Sequence, residues 1–400
     1  MQNTLEGVKV LDMCVAAAGA SCSRLLVDMG AEDIMVEPLD GQSTRYTSPH
    51  SFDFKCGGKR GIPCNLKTPE GKALFYKLVK WADVFVTNYR TKALVKLGLS
   101  YEDLKAVNPR LIYGHISGFG NRGPKKDDPG FDATAWWGKS GLMTDAAQEG
   151  SVIQIPYALG DFSTGMALAV GINAALFNRE RTGEGQRIET SLMATGIYLN
   201  YDAILETQYG YQLPNSRTRA PRAMLNTYQC GDGEWISINA THHWESSWPC
   251  LCRTIGREDL IDKYGSNEET MFENSPPVIA ALDEGFKKLT WKEAAAKLGE
   301  CGTIAVEHAQ HSIEVTTDPQ AIENEFVYEW TSPEGKKLMH PATPIHVGDE
   351  HPTHLTRGPR LGEHTEEVMK MLGYSDAEIR DHIAKGIVVT EREAKYRTTC

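Results

Sequence analysis

The sequence is short of the features that mark metal-binding and nucleic-acid-binding proteins. Its nine cysteines include no CxxC pair, and no cysteine–histidine array has the spacing of zinc ligands. Basic residues are outnumbered, because 42 lysines and arginines face 53 aspartates and glutamates, which gives a net charge of −11. We therefore expect no metal site and no nucleic acid as the main partner.

The sequence also shows no basic segment followed by an apolar core at its start, and no apolar run of membrane-spanning length. From these observations we expect a cytoplasmic protein that has no membrane partner and keeps its scattered cysteines reduced. A chain of 400 residues is too long for one ordinary hydrophobic core, so two domains are expected.

The GxGxxG fingerprint of dinucleotide-binding proteins is absent, although the alternation that usually surrounds it is present. Residues 7–12 predict a buried strand, residues 21–30 a helix with one apolar face, and residues 31–37 a second strand. This order predicts an α/β fold with a Rossmann-like, doubly wound parallel sheet. Since the small-residue loop at 13–20 lacks the dinucleotide spacing, a nicotinamide enzyme is only a distant alternative.

The same alternation continues along the chain. Thr68 followed by Pro69 predicts a helix start, and further strands are predicted at residues 83–87, 111–117 and 186–191. Ligands of open α/β sheets bind beyond the carboxyl ends of the strands, so the loops that follow the strands should line one crevice. Those loops are residues 16–19, 88–90 and 118–123.

Composition changes at residues 210–226, where proline, asparagine and arginine predict a linker. A hairpin with a Gly-Asp-Gly turn at 231–233 is predicted beyond it, followed by several helices. We expect a large Rossmann-like domain at residues 1–210, a small α+β domain at 225–325, and a C-terminal segment at 326–400 that returns to the large domain.

Asp161 is the leading candidate for a catalytic group. It lies in the segment Gly160-Asp161-Phe162-Ser163-Thr164, directly before a helix-forming stretch. Residues 161–164 are good N-cap residues, so we expect Asp161 in a loop where the helix N-terminus keeps its carboxylate ionised. Such a carboxylate can attack a thioester and form a mixed anhydride. On local sequence alone, a purely structural N-cap is the alternative.

Other candidates are weaker. Cys14 has no base beside it in the sequence, and His242 and His243 are adjacent, so they do not share a face for a metal ion. A single lysine is most often a solvated surface charge, but several cations follow predicted strands and form a candidate phosphate-binding set. They are Lys67, Arg90, Lys92, Lys96 and Arg122.

Eight segments together resemble the class III CoA-transferase family over about residues 5 to 373. They are residues 5–12, 30–37, 66–72, 82–88, 117–120, 160–166, 182–186 and 359–365. The resemblance implies that Asp161 is the nucleophile, and that the first loop, Lys67, Asn88 and Phe131 surround CoA and its acyl group. Together with the phosphate-binding set, the expected CoA-contacting residues are Val15, Ala16, Ala17, Lys67, Asn88, Tyr89, Arg90, Lys96 and Phe131.

The resemblance also implies a reaction and an assembly. CoA would move between an acyl-CoA and a free carboxylic acid through an aspartyl anhydride and an aspartyl-CoA thioester, with no permanently bound cofactor and CoA thioester as substrate. The family fold is an interlocked homodimer. Residues 88–98 and 129–136 look most like the members of anaerobic amino-acid fermentation that act on 2-hydroxy acids such as 2-hydroxyisocaproate and phenyllactate.

Two positions depart from the formyl-CoA members of the family. Ala17 replaces a glutamine of the first loop, and Pro38 replaces an arginine after the second strand, so formate and oxalate are disfavoured. The alternatives that stay open are a CoA-transferase for carnitine or another carboxylate, a 2-methylacyl-CoA racemase of the same fold, which would use a His/Asp pair, and a non-catalytic CoA-binding protein.

Overall fold

A computed structural model describes residues 4–391 apart from 149, 154–157, 215, 241, 266–267, 333 and 349–356. The chain divides into two compact units. The first comprises residues 1–142, 154–204 and 320–400, and the second comprises residues 143–153 and 205–319.

A six-stranded parallel sheet lies at the centre of the first unit, in the order β3-β2-β1-β4-β5-β6. The strands are β1 (Lys9–Met13), β2 (Glu32–Glu37), β3 (Arg60–Pro63), β4 (Val84–Thr87), β5 (Ile112–Ser117) and β6 (Arg187–Ser191). This is the strand order of a Rossmann sheet, which confirms the predicted parallel α/β sheet. The sequence missed β3, whose four residues are too few to show a period.

Helices alternate with these strands along the chain. They are α1 (Ala18–Asp28), α2 (Thr44–Thr47), α3 (Pro49–Cys56), α4 (Pro69–Trp81), α5 (Thr91–Leu97), α6 (Tyr101–Val107), α7 (Gly138–Ser140), α8 (Leu142–Asp145), α9 (Leu159–Thr182), α10 (Leu192–Leu199) and α11 (Tyr201–Gln208), with a π-helical turn at Asp132–Trp137 before α7.

Helix α4 shows how local sequence sets an element of this fold. The Thr68 side chain accepts a hydrogen bond from the Gly71 N–H, and Pro69 occupies the first turn, as predicted. Four apolar side chains at helical spacing are fully buried against the sheet: Leu74, Phe75, Leu78 and Val79. Burying each is worth about 1.5–3 kcal/mol relative to exposure, so this face fixes the helix on the sheet.

The second unit contains an antiparallel sheet of β7 (Leu225–Gln229), β8 (Trp235–Asn239) and β9 (Ala305–His308). The β7–β8 pair is the predicted hairpin. The helices that follow the hairpin are α12 (Trp244–Thr254), α13 (Asp259–Tyr264), α14 (Glu268–Glu273), α15 (Ser275–Phe286) and α16 (Trp291–Gly299). The chain then continues through α17 (Pro319–Glu323), β10 (Val327–Thr331), β11 (Lys337–Pro341), α18 (Thr365–Met371) and α19 (Asp376–Ala384).

The expectation that all cysteines are reduced is wrong for one pair. Cys250 and Cys301 form a disulfide across 51 residues, with their Cα atoms 6.1 Å apart. Sequence spacing drew attention to Cys250 and Cys252 instead, because nothing local shows that α12 and the end of α16 come together.

The expectation of no apolar run of membrane-spanning length is wrong for α9. Helix Leu159–Thr182 is long and apolar enough, by length and composition, to cross a membrane, and 44% of its most apolar window is buried. A core helix of a globular protein meets the same criterion. Several large apolar side chains of α9 remain exposed, among them Leu159, Met166, Val170 and Phe177.

Candidate active site

Asp161 lies in the first turn of α9 rather than in the loop before it. The helix begins at Leu159, and the residue at its N-cap is Ala158, which has a φ of 48°. The sequence missed this start because a left-handed alanine is a poor N-cap signal. The carboxylate is nevertheless at the helix N-terminus, where the N–H groups of the first turn lack intrahelical partners.

A second carboxylate, Asp132, caps this helix from outside. Its Oδ1 accepts a hydrogen bond from the Asp161 N–H at 2.9 Å. Gly160 makes the approach possible, since a Cβ there would collide with the Trp136 ring and lie 2.6 Å from Asp132 Oδ1. Trp136 itself is buried, so it forms a dry wall beneath the first turn.

The electrostatics of Asp161 differ from the prediction. Burial, followed by the nearby charge of Asp132, raises the pKa of Asp161 to about 6, and the positive charge of Lys55 acts in the opposite direction. We had expected the helix N-terminus to hold the carboxylate ionised, but desolvation is the larger effect. With a pKa of about 6 the group is still mostly ionised at neutral pH, and it is more basic than an exposed aspartate.

Helix α1 brings the first loop towards the same end of α9. A Cβ at Gly165 would collide with Ser21 and lie 2.7 Å from the Ala18 carbonyl oxygen, so the two helices touch at this glycine. Because α1 begins directly after β1, the start of α9 lies at the carboxyl edge of the sheet. This is the edge where open α/β sheets bind their ligands.

The structure brings Asn88 and the first loop together. The Asn88 side chain accepts a hydrogen bond from the Val15 N–H at 2.9 Å and donates one to the Val15 carbonyl at 2.7 Å. These two bonds join the ends of the neighbouring strands β1 and β4 and fix the loop in which Ala16 has a φ of 59°. Ala17 is buried at the start of α1, and Ala16 is exposed.

Lys67 and Tyr89 line a cavity of about 370 Å³ at the carboxyl ends of β1 to β4. Met13, Val36, Pro38 and Leu66 also contribute to its wall. Burial raises the pKa of Tyr89 to about 12, so its phenol is neutral. The lining is mostly apolar, with Lys67, Glu37 and Asp40 as its charged residues, and apolar clefts with a few polar groups are typical ligand sites.

The other predicted contacts are more dispersed. Arg90 and Lys96 are exposed at the two ends of α5. Lys92 in α5 and Arg122 after β5 are exposed as well. Phe131 is 63% exposed and directly precedes Asp132. Within the described residues no hydrogen bond or ion pair links Asp161 to any of the predicted CoA-contacting side chains, so a ligand that touches all of them must be long.

The alternative nucleophile, Cys14, is not suited to the role. It is buried, its thiol donates to the Val86 carbonyl oxygen at 3.4 Å, and burial raises its pKa well above the usual value. A thiol that stays protonated is a poor nucleophile. Among the described residues no group of three or more His, Cys, Asp and Glu is arranged to hold a metal ion.

Sequence reasoning missed two residues of the site, Asp132 and Lys55. Asp132 had a signal, since it follows Phe131 in a Pro-Gly-Phe-Asp turn that precedes a helix. Lys55 had none, because it lies in the short helix α3 and approaches Asp161 only through the tertiary fold.

This chain belongs to CoA-transferase family III, whose model matches residues 5–365. It is therefore a transferase enzyme of CoA thioesters. Two similar proteins with assigned activities are an (R)-2-hydroxy-4-methylpentanoate CoA-transferase from Clostridioides difficile, 34% identical over 94% of this chain and 97% of that protein, and a cinnamoyl-CoA:phenyllactate CoA-transferase from Clostridium sporogenes, 30% identical over 95% and 96%.

A solved structure shows the same fold. A CAIB/BAIF family protein from Brucella suis superposes with a TM-score of 0.81, is 28% identical, and covers 93% of this chain and 100% of its own. A formyl-CoA:oxalate CoA-transferase from Escherichia coli O157:H7 is also similar, at 30% identity over 95% of this chain and 98% of that protein.

Proposed function

We propose that this enzyme moves CoA between an acyl-CoA and a 2-hydroxy acid, with Asp161 as the nucleophile. The observation that carries the proposal is the position of Asp161, a half-buried carboxylate at the start of α9 with a pKa raised to about 6. Raised basicity strengthens a carboxylate as a nucleophile, while a pKa below 7 leaves it ionised in the cell.

The reaction proceeds in two symmetrical halves. Asp161 attacks the acyl-CoA carbonyl carbon, and the C–S bond breaks to leave a mixed anhydride and CoA thiolate. The thiolate then attacks the aspartyl carbonyl, which gives an aspartyl-CoA thioester and releases the donor acid. The acceptor acid runs these steps in reverse and regenerates the Asp161 carboxylate. Water must be excluded throughout, since it would hydrolyse the anhydride.

The proposed CoA contacts follow the edge of the sheet. The cavity beside Lys67 and Tyr89 takes the nucleotide end, and the loop that Asn88 holds in place, with Val15, Ala16 and Ala17, guides the chain towards Asp161. Arg90 and Lys96 supply positive charge near the phosphates, and Phe131 lies near the acyl group. Binding energy from this remote handle holds the thiolate next to the anhydride.

The 2-hydroxy acid is proposed from the names of the two relatives at 34% and 30% identity. Both of those names specify a hydroxy acid with a bulky apolar substituent. Phe162 follows Asp161, and its ring lies 5.8 Å from that of Phe54, which provides an apolar surface beside the nucleophile.

We also propose a homodimer in which residues 1–210 and 326–400 form the CoA-binding domain and 225–325 the small domain. The exposed apolar side chains of α9 continue on α10 and the start of α11, where Tyr198 is 78% and Tyr201 57% exposed. An apolar surface of this kind favours burial in an interface, and a second copy of this chain is the proposed partner. Light scattering at micromolar concentration measures the mass.

The decisive experiment traps the covalent intermediate. The enzyme is incubated with one acyl-CoA, treated with hydroxylamine, digested and analysed by peptide mass spectrometry. We expect a hydroxamate on Asp161 only when acyl-CoA is present; an unmodified Asp161 in an enzyme that turns over would refute the covalent route.

An acceptor screen with the same acyl-CoA then identifies the acid. We expect 4-methyl-2-hydroxypentanoate or phenyllactate to be used better than oxalate or carnitine. Incorporation of solvent deuterium at the α-carbon in the absence of any acceptor would instead identify a racemase.

A further inference from the structure

Among the described residues of the first unit, four cationic side chains are buried, with exposures of 3–6%. Three of them have a carboxylate partner within 3.0 Å: Arg24 with Asp28, Lys59 with Asp12, and Arg179 with Asp83. The fourth, Lys55, is 4% exposed and makes no hydrogen bond or ion pair with any described residue. Lysines are almost never covered this completely unless they are paired, so this residue needs an explanation.

The usual explanation for a buried lysine is that only its aliphatic stem is covered while the ammonium reaches water. Lys55 is an extreme case of this arrangement: only 4% of the residue is exposed, but its Nζ is not among the fully buried polar atoms that lack a partner. Burial lowers the pKa of Lys55, and the negative charge of Asp161 acts against that decrease. The ammonium therefore keeps a small contact with solvent and lies within electrostatic reach of Asp161.

The fold places Lys55 next to the nucleophile. Its neighbour Phe54 lies with its ring 5.8 Å from that of Phe162, which is the residue after Asp161. Arg24 donates to the Phe54 carbonyl oxygen and holds this end of α3 against α1. Lys59 is fully engaged by Asp12, Ser23 and the Ala20 carbonyl, so it is not available to a ligand.

We propose that Lys55 binds the carboxylate of the acceptor acid after Asp161 has been converted to its CoA thioester. The inference rests on the proposed function and assigns one more residue to the same site. In the free enzyme the Asp161 carboxylate balances the Lys55 charge. Thioester formation removes that negative charge, so the ammonium loses the carboxylate that balanced it until an acid enters.

The incoming acid restores the balance. Its carboxylate oxygen, held by Lys55, attacks the aspartyl-CoA carbonyl carbon; the C–S bond breaks, and thiolate and anhydride form. The thiolate then attacks the acceptor's carbonyl carbon, the C–O bond to Asp161 breaks, and the Asp161 carboxylate faces Lys55 again. One negative charge is present at each stage and no proton is transferred. Lys55 therefore binds the carboxylate of an acid only while Asp161 carries the CoA thioester.

The test compares Lys55→Met with wild type in the transfer assay. Met fills a similar volume without charge, so the KM of the acceptor acid should rise about 10- to 100-fold, as for the loss of a charge-assisted hydrogen bond. The KM of the acyl-CoA should change by less than about threefold. Lys55→Arg keeps the charge and should recover part of the acceptor affinity. Lys80→Met, at an exposed position of α4, is the matched control and should leave both constants unchanged.

Two further readouts separate binding from folding. Lys55 makes no hydrogen bond with any described residue, so Lys55→Met should leave the Tm nearly unchanged, and a loss of acceptor affinity at an unchanged Tm excludes misfolding. The apparent pKa in kcat/KM for acyl-CoA should also rise, because Asp132 and Lys55 are the charged groups that act on Asp161 and only the lysine lowers its pKa.

The outcomes distinguish this inference from the proposed function. If wild type transfers CoA but Lys55→Met has an unchanged acceptor KM, or both KM values rise equally, the role of Lys55 is refuted while the CoA-transferase proposal stands. If wild type transfers no CoA to any acid, the proposed function itself fails.

Discussion

Two lysines four residues apart, Lys59 and Lys55, lie in opposite electrostatic environments. The Lys59 ammonium lies 2.8 Å from Asp12 Oδ2, 2.7 Å from Ser23 Oγ and 3.1 Å from the Ala20 carbonyl oxygen. Lys55 has none of these contacts, although only 4% of the residue is exposed. An ammonium whose hydrogen bonds are all made within the protein stabilises one arrangement of the backbone. An ammonium without such bonds can still bind a ligand.

The hydrogen-bonded cluster of Lys59, Asp12 and Ser23 supports the backbone of the candidate site. Burial opposes ionisation of Asp12, but the adjacent Lys59 charge prevails and lowers its pKa. Asp33, also buried, has two carboxyl oxygens without partners, and burial raises its pKa well above the usual value. The hydrogen bonds of Lys59 to Asp12, Ser23 and the Ala20 carbonyl fix β1 and α1, between which the loop of Val15 lies.

Changing Asp161 in the candidate site should abolish activity without affecting the fold. Asp161→Ala removes the proposed nucleophile, so kcat should fall at least about a thousandfold, while CoA binding is retained and the Tm does not fall. The measurement is steady-state transfer together with calorimetric binding of CoA. Glu180→Ala, an exposed carboxylate at the other end of α9, should stay within about twofold of wild type. Ordinary turnover by Asp161→Ala would place the nucleophile elsewhere.

Changing the cluster of Lys59, Asp12 and Ser23 should instead lower the stability of the fold. Lys59→Met leaves Asp12 buried without its partner, which should lower the free energy of unfolding by about 3–5 kcal/mol. Urea denaturation measures this loss. The double variant Lys59→Met/Asp12→Asn removes both charges and should recover much of the stability. If the single variant were as stable as wild type, the cluster would not be the support that we describe.

Whether the sequence predicts a contact in this structure depends on how far apart the two residues are along the chain. Asp161 is a candidate because it adjoins its helix in a short motif that the family resemblance covers, and the parallel sheet is predicted because strands and helices alternate locally. Lys55 was missed because the contact that matters, Phe54 with Phe162, spans more than one hundred residues. The Cys250–Cys301 disulfide was missed for the same reason.

The raised pKa of Asp161 is not visible in the sequence for a related reason. The helix N-terminus is visible in the sequence, but the desolvation that outweighs it comes from side chains such as Trp136, brought in by another segment. Burial is a property of the assembled fold, so a local pattern identifies the group but not its basicity.

The raised pKa predicts a link between stability and pH. The folded-state pKa of about 6 exceeds the unfolded value of 3.8, so this group contributes stability below pH 4 that is lost as the pH rises through 6. Asp161→Asn should therefore be more stable than wild type at pH 8, by on the order of 1–3 kcal/mol. The gain should vanish below about pH 4. Thermal unfolding of both proteins at pH 4, 6 and 8 provides the measurement, and a gain independent of pH would contradict it.

The smallest effect is expected at a lysine that is neither paired nor buried. Lys67 is exposed at the rim of the cavity that Tyr89 lines, where we propose that it contacts the nucleotide end of CoA. Because this contact is the same in the ground and transition states, Lys67→Ala should raise the KM of acyl-CoA up to about tenfold and leave kcat nearly unchanged. The acceptor KM, which we assign to Lys55, should not move. A fall in kcat with constant KM would instead assign Lys67 to the chemical step. Lys67 and Lys55 would then no longer differ in the way that we propose.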